Sequence, residues 1–199
     1  MTRSRFVGAI AGIGTASGTR VVVGRWTASP LGPFADVMVE QADGHRLLLA
    51  PSAQVADFVC LTYTFDEIVR TPVLVEASDN CWRVDTDLLE LEIEIGRRPL
   101  LGLVLRAVPR PVAVAPWWAR VTDPVARTLV PGIRTRGSAG HGRREWYAAT
   151  DLRRVTGASG SWREEPMGDL RAVEPPVRFG FSSTPRSPSL THVVTTVEH

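Results

Sequence analysis

The densest set of side chains able to do chemistry lies between Arg134 and Arg154. Six arginines there stand against Glu145 and Asp151, a local excess of four positive charges. Within it runs Gly140-His141-Gly142-Arg143-Arg144-Glu145-Trp146-Tyr147. Glycines let a ligand come close to the backbone. Guanidinium groups fork onto carboxylates or phosphates, and an imidazole relays protons near neutral pH. In a strand, Arg144 and Trp146 share one face while Glu145 and Tyr147 share the other. The candidate ligand-binding residues are therefore Arg143, Arg144, Trp146 and Tyr147. His141 and Glu145 are the candidate catalytic acid–bases. The competing reading is structural: the arginines face the acidic run Asp85, Asp87, Glu90, Glu92 and Glu94 across strands. Such pairs contribute only about 0.2–1 kcal/mol each.

Other chemistries find less to work with. All 23 basic residues are arginine. Without a lysine amine there is no Schiff base to pyridoxal phosphate and no P-loop lysine, and no cofactor is expected. His45, His192 and His199 have no ligand spacing, and Cys60 and Cys81 form no CxxC pair, so no metal is expected. Cys60 lies in an apolar run, which suits a buried free thiol better than a disulfide to Cys81. Ser138, Ser159 and Ser161 sit in no GxSxG elbow. A net charge of +2 does not suggest a nucleic-acid partner. No run approaches the roughly 20 apolar residues of a membrane span. The apolar stretch after Arg3 and Arg5 is short, glycine-rich and soon followed by Arg20, so a cytoplasmic location is expected rather than secretion.

Gly8, Gly12 and Gly14 have the glycine spacing of short-chain dehydrogenases. That motif needs a strand before it and a helix after it. Here Gly18 and the strand-like Thr19–Trp26 follow at once. The segment reads instead as a glycine-rich entry or a strand passing close to another backbone.

Most of the positioning elements are strands. Valine-rich 19–26, alternating 34–40 and 45–50 predict strands, the last two joined by a hairpin at Asp43-Gly44. Ser52 caps a helix running to about Tyr63. Strands follow over 65–76, with a break at Pro72, and over 81–85. In 88–95, Leu89, Leu91, Ile93 and Ile95 alternate with Glu90, Glu92 and Glu94, a period of two that separates a core face from a wet one. Residues 100–105 are apolar and ambiguous. Two short helices are expected over 112–130, with Trp117 and Trp118 on an apolar stripe. Strands return at 144–150, 152–158, 177–182 and 190–197. The fold class is α+β and strand-rich: a curved antiparallel sheet or partly closed β-barrel with two or three packed helices. One domain is expected over 1–199, flexible at 1–5 and 198–199.

Two segments resemble the acetoacetate decarboxylase-like superfamily. Ser29-Pro30-Leu31-Gly32-Pro33-Phe34 looks like the turn preceding a strand in those proteins. Gly142-Arg143-Arg144-Glu145-Trp146 is similar to their Gly-Arg-Glu segment followed by an aromatic residue. The resemblance implies a large curved antiparallel sheet around a pocket. It does not bring the decarboxylase reaction, which needs a lysine amine: Thr150, Asp151 and Arg153 stand where the lysine-bearing stretch would be. The whole chain also resembles proteins of GC-rich bacteria.

These readings favour a small-molecule binding domain. An anionic or carbonyl-bearing ligand would be held by arginine and aromatics inside the curved sheet. The first alternative is a lysine-independent lyase or hydrolase using His141 or Glu145 as acid–base. The second is a structural or partner-binding protein that uses Trp117 and Trp118.

Overall fold

The computed structural model describes residues 3–115, 136–139, 143–180 and 184–198; for 3, 136–139, 143–145 and 198 the backbone alone is described. His141, Trp117, Trp118, and most of the helices expected over 112–130 lie outside this set.

In chain order the strands begin with β1 (Arg3–Thr15), β2 (Arg20–Ala28), β3 (Phe34–Glu40) and β4 (Arg46–Ala50). Helix α1 (Ala53–Cys60) follows, then β5 (Glu67–Arg70), β6 (Leu74–Ala77), β7 (Cys81–Asp85) and β8 (Leu89–Ile95). Helices α2 (Leu100–Ala107) and α3 (Arg110–Ala113) come next. The chain then gives β9 (Arg136–Ala139), β10 (Arg143–Trp162), the two-residue β11 (Glu165–Pro166) and β12 (Leu170–Arg171), and β13 (Ser189–Glu198). The main sheet has ten strands in the order β5-β4-β3-β2-β1-β13-β10-β8-β7-β6. Its neighbours are antiparallel except for β4 and β5, which run parallel. The architecture is a strand-rich α+β fold in which a curled open sheet forms a half-barrel with packed helices.

The glycine-rich segment is not a loose entry but the long strand β1, paired with β2 on one side and β13 on the other. A Cβ on Gly8 would stand 2.2 Å from the Arg25 carbonyl oxygen, so glycine is required for this close approach.

The curl is carried by β10. Its first half pairs with β13 and its second half with β8, with register shifts between Ala149 and Asp151 and between Val155 and Gly157. Such irregularities bend a strand and re-aim its side chains. The curl brings the two ends of the sheet into contact. Thr71 Oγ1 donates to Asp87 Oδ2 at 2.6 Å, Arg163 meets Glu67 at 3.4 Å, and the Trp162 indole donates to Gln41 Oε1 at 3.3 Å.

Inside the curl, odd-numbered residues of β1 to β4 (Ile13, Val21, Val37, Leu49) pack with Trp82, Val84 and the Leu89–Ile95 aliphatics of β7 and β8. The alternation in β8 is complete: Leu89, Leu91, Ile93 and Ile95 are buried, while Glu90, Glu92 and Glu94 are not. The inside of the half-barrel is therefore a filled core.

The other face of β1 to β4 is covered as well. Ser52 caps α1, its side chain accepting from Val55 N at 3.2 Å. Val55, Ala56 and Val59 of α1 lie on Leu48 and Ala50. Val173, Val177 and Phe179, in a segment that crosses the sheet, pack on Val22 and Met38. The strand expected over 177–182 is corrected here. Residues 177–180 form no ladder, because neighbouring strands already occupy both sides of β2 and β3 and the segment lies across their face. The apolar alternation of Val177 and Phe179 reflects burial against that face, not strand pairing.

Candidate ligand-binding site

Between the outer face of the sheet, α1 and the crossing segment lies a cavity of about 180 Å³. Its floor comes from alternate residues of five adjacent strands. Phe34, Asp36 and Met38 project from β3, Val22, Gly24 and Trp26 from β2, Phe6 and Ile10 from β1, Thr191, Val193 and Thr195 from β13, and Tyr147 and Ala149 from β10. Five strands at about 4.8 Å spacing span about 19 Å, so the space is elongated across the sheet. The roof is Phe58, Val59, Thr62 and Tyr63 at the end of α1, with Val177, Phe179, Thr184 and Pro185.

Registers place the polar groups at two ends. At the β3 end, Asp36 pairs with Gly24 and lies one step from Trp26. Trp26 Nε1 donates to Asp36 Oδ1 at 2.8 Å. Asp36 is buried, and burial pushes its carboxyl up to about 7, opposed by the indole hydrogen bond. Both protonation states are therefore populated near neutral pH. At the β10 end, Thr195 pairs with both Phe6 and Tyr147. The Tyr147 hydroxyl is hydrogen-bonded to that of Tyr63, which ties the end of α1 to the sheet. Thr195 Oγ1 is buried without a hydrogen-bond partner among the described residues.

Aromatic rings fill the ground between. Phe6 meets Phe58 with ring centroids 4.6 Å apart, and meets Trp26 edge-on at 5.9 Å. Trp26 and Phe34 lie 6.3 Å apart. Rings in such tilted and edge-on contacts form a stiff wall.

The crossing segment is anchored beside this site. Glu40 is fully buried and accepts from Arg178 N at 2.7 Å and Arg178 Nε at 3.0 Å. Buried Arg20 lies 3.4 Å from the same carboxylate, and its guanidinium also donates to the Pro175 and Gln41 carbonyls at 3.2 and 2.8 Å.

Of the residues singled out by sequence, Tyr147 lines the cavity. Trp146, its neighbour, is half-buried and not part of the lining; its Nε1 is buried with no partner among the described residues. The backbones of Arg143, Arg144 and Glu145 run in β10 beside β13 and β9, but their side chains, like all of His141, lie outside the described set. The competing reading, an arginine–glutamate ladder, finds no arginine opposite the β8 glutamates on β10 among the described residues. There Glu94, Glu92 and Glu90 face Gly157, Ser159 and Ser161, because β10 joins β8 only from Val155 onward. Arg83 of β7 takes Glu92 instead, at 3.0 Å. Arg153 donates to the carbonyls of Gly96, Asp79 and Ile95. Asp151 is held by Arg98, whose Nε lies 2.9 Å from both carboxylate oxygens.

Sequence reasoning missed Asp36 and Trp26. The available signal was that Phe34 and Met38 share the face of Asp36 while Ala35, Val37 and Val39 occupy the other. A strand apolar on both faces is covered on both.

No family model matches the chain, and no curated protein does. Among solved structures, acetoacetate decarboxylase from Legionella pneumophila is similar in shape, with a TM-score of 0.43 and 10% identity; the match covers 100% of this chain and 84% of that one. No helix among the described residues is long and apolar enough to cross a membrane.

Proposed function

We propose that the protein binds a small, largely apolar, carbonyl-bearing molecule in the cavity on the outer face of the half-barrel. The observation that carries this is an aromatic-walled space of about 180 Å³ lined in part by Thr195, whose buried Oγ1 has no hydrogen-bond partner among the described residues and whose register partner is Tyr147. Sites for small molecules combine apolar walls with a few convergent polar groups. A ligand carbonyl would accept from Thr195 and satisfy it, removing a penalty of about 1–3 kcal/mol. Of the anionic and carbonyl-bearing classes expected from sequence, the carbonyl-bearing one is favoured. No arginine lines the cavity among the described residues, and Asp36 would repel an anion.

Thermal unfolding of the full chain with phenyl tert-butyl ketone is the test. A ligand that binds only the folded state raises its melting temperature. Ala149→Phe fills the space and is expected to weaken binding more than tenfold, while Thr195→Val, of equal shape, weakens it several-fold. Undiminished stabilisation of Ala149→Phe would place binding elsewhere.

A further inference from the structure

The Asp36 end of the cavity differs chemically from the Thr195 end. Asp36 is 2% exposed. One carboxylate oxygen is taken by the Trp26 indole. The other accepts no hydrogen bond from the described residues, and Asp36 lines the cavity. A carboxyl kept half-satisfied in an apolar wall is a poor stabiliser; an apolar side chain of similar size would serve the fold better. Such a group is explained by an occupant that completes it.

We infer that this end takes an organic ammonium group, ion-paired with Asp36 and packed against the rings of Trp26, Phe34 and Phe58. The inference rests on the cavity being a binding site. Three observations support it. Asp36 is the only carboxylate in the lining, and no arginine or histidine lines the cavity among the described residues. The nearby walls are aromatic, and ring faces attract cations, by about 2 kcal/mol or more when water is excluded. The surroundings leave Asp36 without a cation of its own. The elements around it present Gly24 and Trp26 from β2, Phe58 and Val59 from α1, and Val177 and Phe179 from the crossing segment. The other ionisable groups on these elements include the Tyr63 and Tyr147 hydroxyls, exposed Asp57 and the Cys60 thiol of α1, Glu174 paired with Arg186, and Glu40 with Arg20 and Arg178. Those two arginines are already committed to Glu40.

The pH dependence has a definite sign. Burial favours the neutral carboxyl in the empty cavity, whereas a cation binds the ionised form. Affinity for a permanently charged ammonium therefore rises with pH.

Calorimetric titration of the full chain with benzyltrimethylammonium and with phenyl tert-butyl ketone, at pH 5.5 and 8.5, tests this. The ammonium is expected to bind at least tenfold tighter at pH 8.5, and Asp36→Asn to abolish that gain. Ketone binding without ammonium binding would overturn the inference and leave the cavity reading standing. Ammonium affinity that is flat or falling with pH would overturn it on the wild-type chain alone, whatever the fate of the Asn variant. Failure of both probes would reject the cavity reading and this inference together.

Discussion

Gly24 and Asp36 are register partners on β2 and β3, and a methyl group on Gly24 would stand 2.6 Å from Asp36 Oδ1 and 2.9 Å from Trp26 Nε1. The missing side chain makes room for the hydrogen bond between the other two. Gly24→Ala is expected to break that bond and destabilise the fold by about 1–3 kcal/mol, the usual range for overpacking a tight site. Urea unfolding measures the loss. An unchanged stability would mean that Asp36 and Trp26 are not fixed by this contact.

Asp36 should also make stability depend on pH. Its carboxyl titrates near 7 in the folded chain against an ordinary value of 3.8. A raised value means that the folded state holds the proton more tightly. The stabilisation is then complete below 3.8 and is lost as pH rises toward 7. Asp36→Asn removes this dependence. Relative to wild type, the variant should gain stability on the order of 3 kcal/mol between pH 4 and pH 8. Urea midpoints at several pH values check this; a difference constant with pH would refute it.

The anchor of the crossing segment separates a buried charge from an exposed one. Glu40→Ala leaves Arg20 buried without its carboxylate, which typically costs about 3–5 kcal/mol. The Arg178 side chain is 68% exposed, so Arg178→Ala should cost less than about 1 kcal/mol, its backbone N–H still reaching Glu40. Chemical denaturation of both variants tests the order. Equal losses would show that the exposed guanidinium holds the segment.

Much of this molecule can be read from its residues. The Leu89–Ile95 alternation, the hairpin at Asp43-Gly44 and the Ser52 cap each rest on local chemistry, and each stands in the structure. Residues 100–105 have no such signal and fold as α2, with Leu100, Leu103 and Val104 exposed. The site was harder to see because it is assembled across five strands. Asp36 and Thr195 are distant in sequence and meet one cavity only through strand order. Asp36 reads locally as one polar residue of a half-wet strand, yet the opposite face of β3 is covered too. The arginine-rich run drew attention because its charge is contiguous, whereas the cavity is built mainly from apolar residues that look like ordinary core.

The most direct test of ligand binding in this cavity is a crystal structure of the full chain grown with phenyl tert-butyl ketone. Ligand density is expected between Trp26 and Tyr147, with the ketone oxygen within hydrogen-bonding distance of Thr195 Oγ1. Ligand seated elsewhere, with the space between α1 and the sheet closed by side chains, would contradict it.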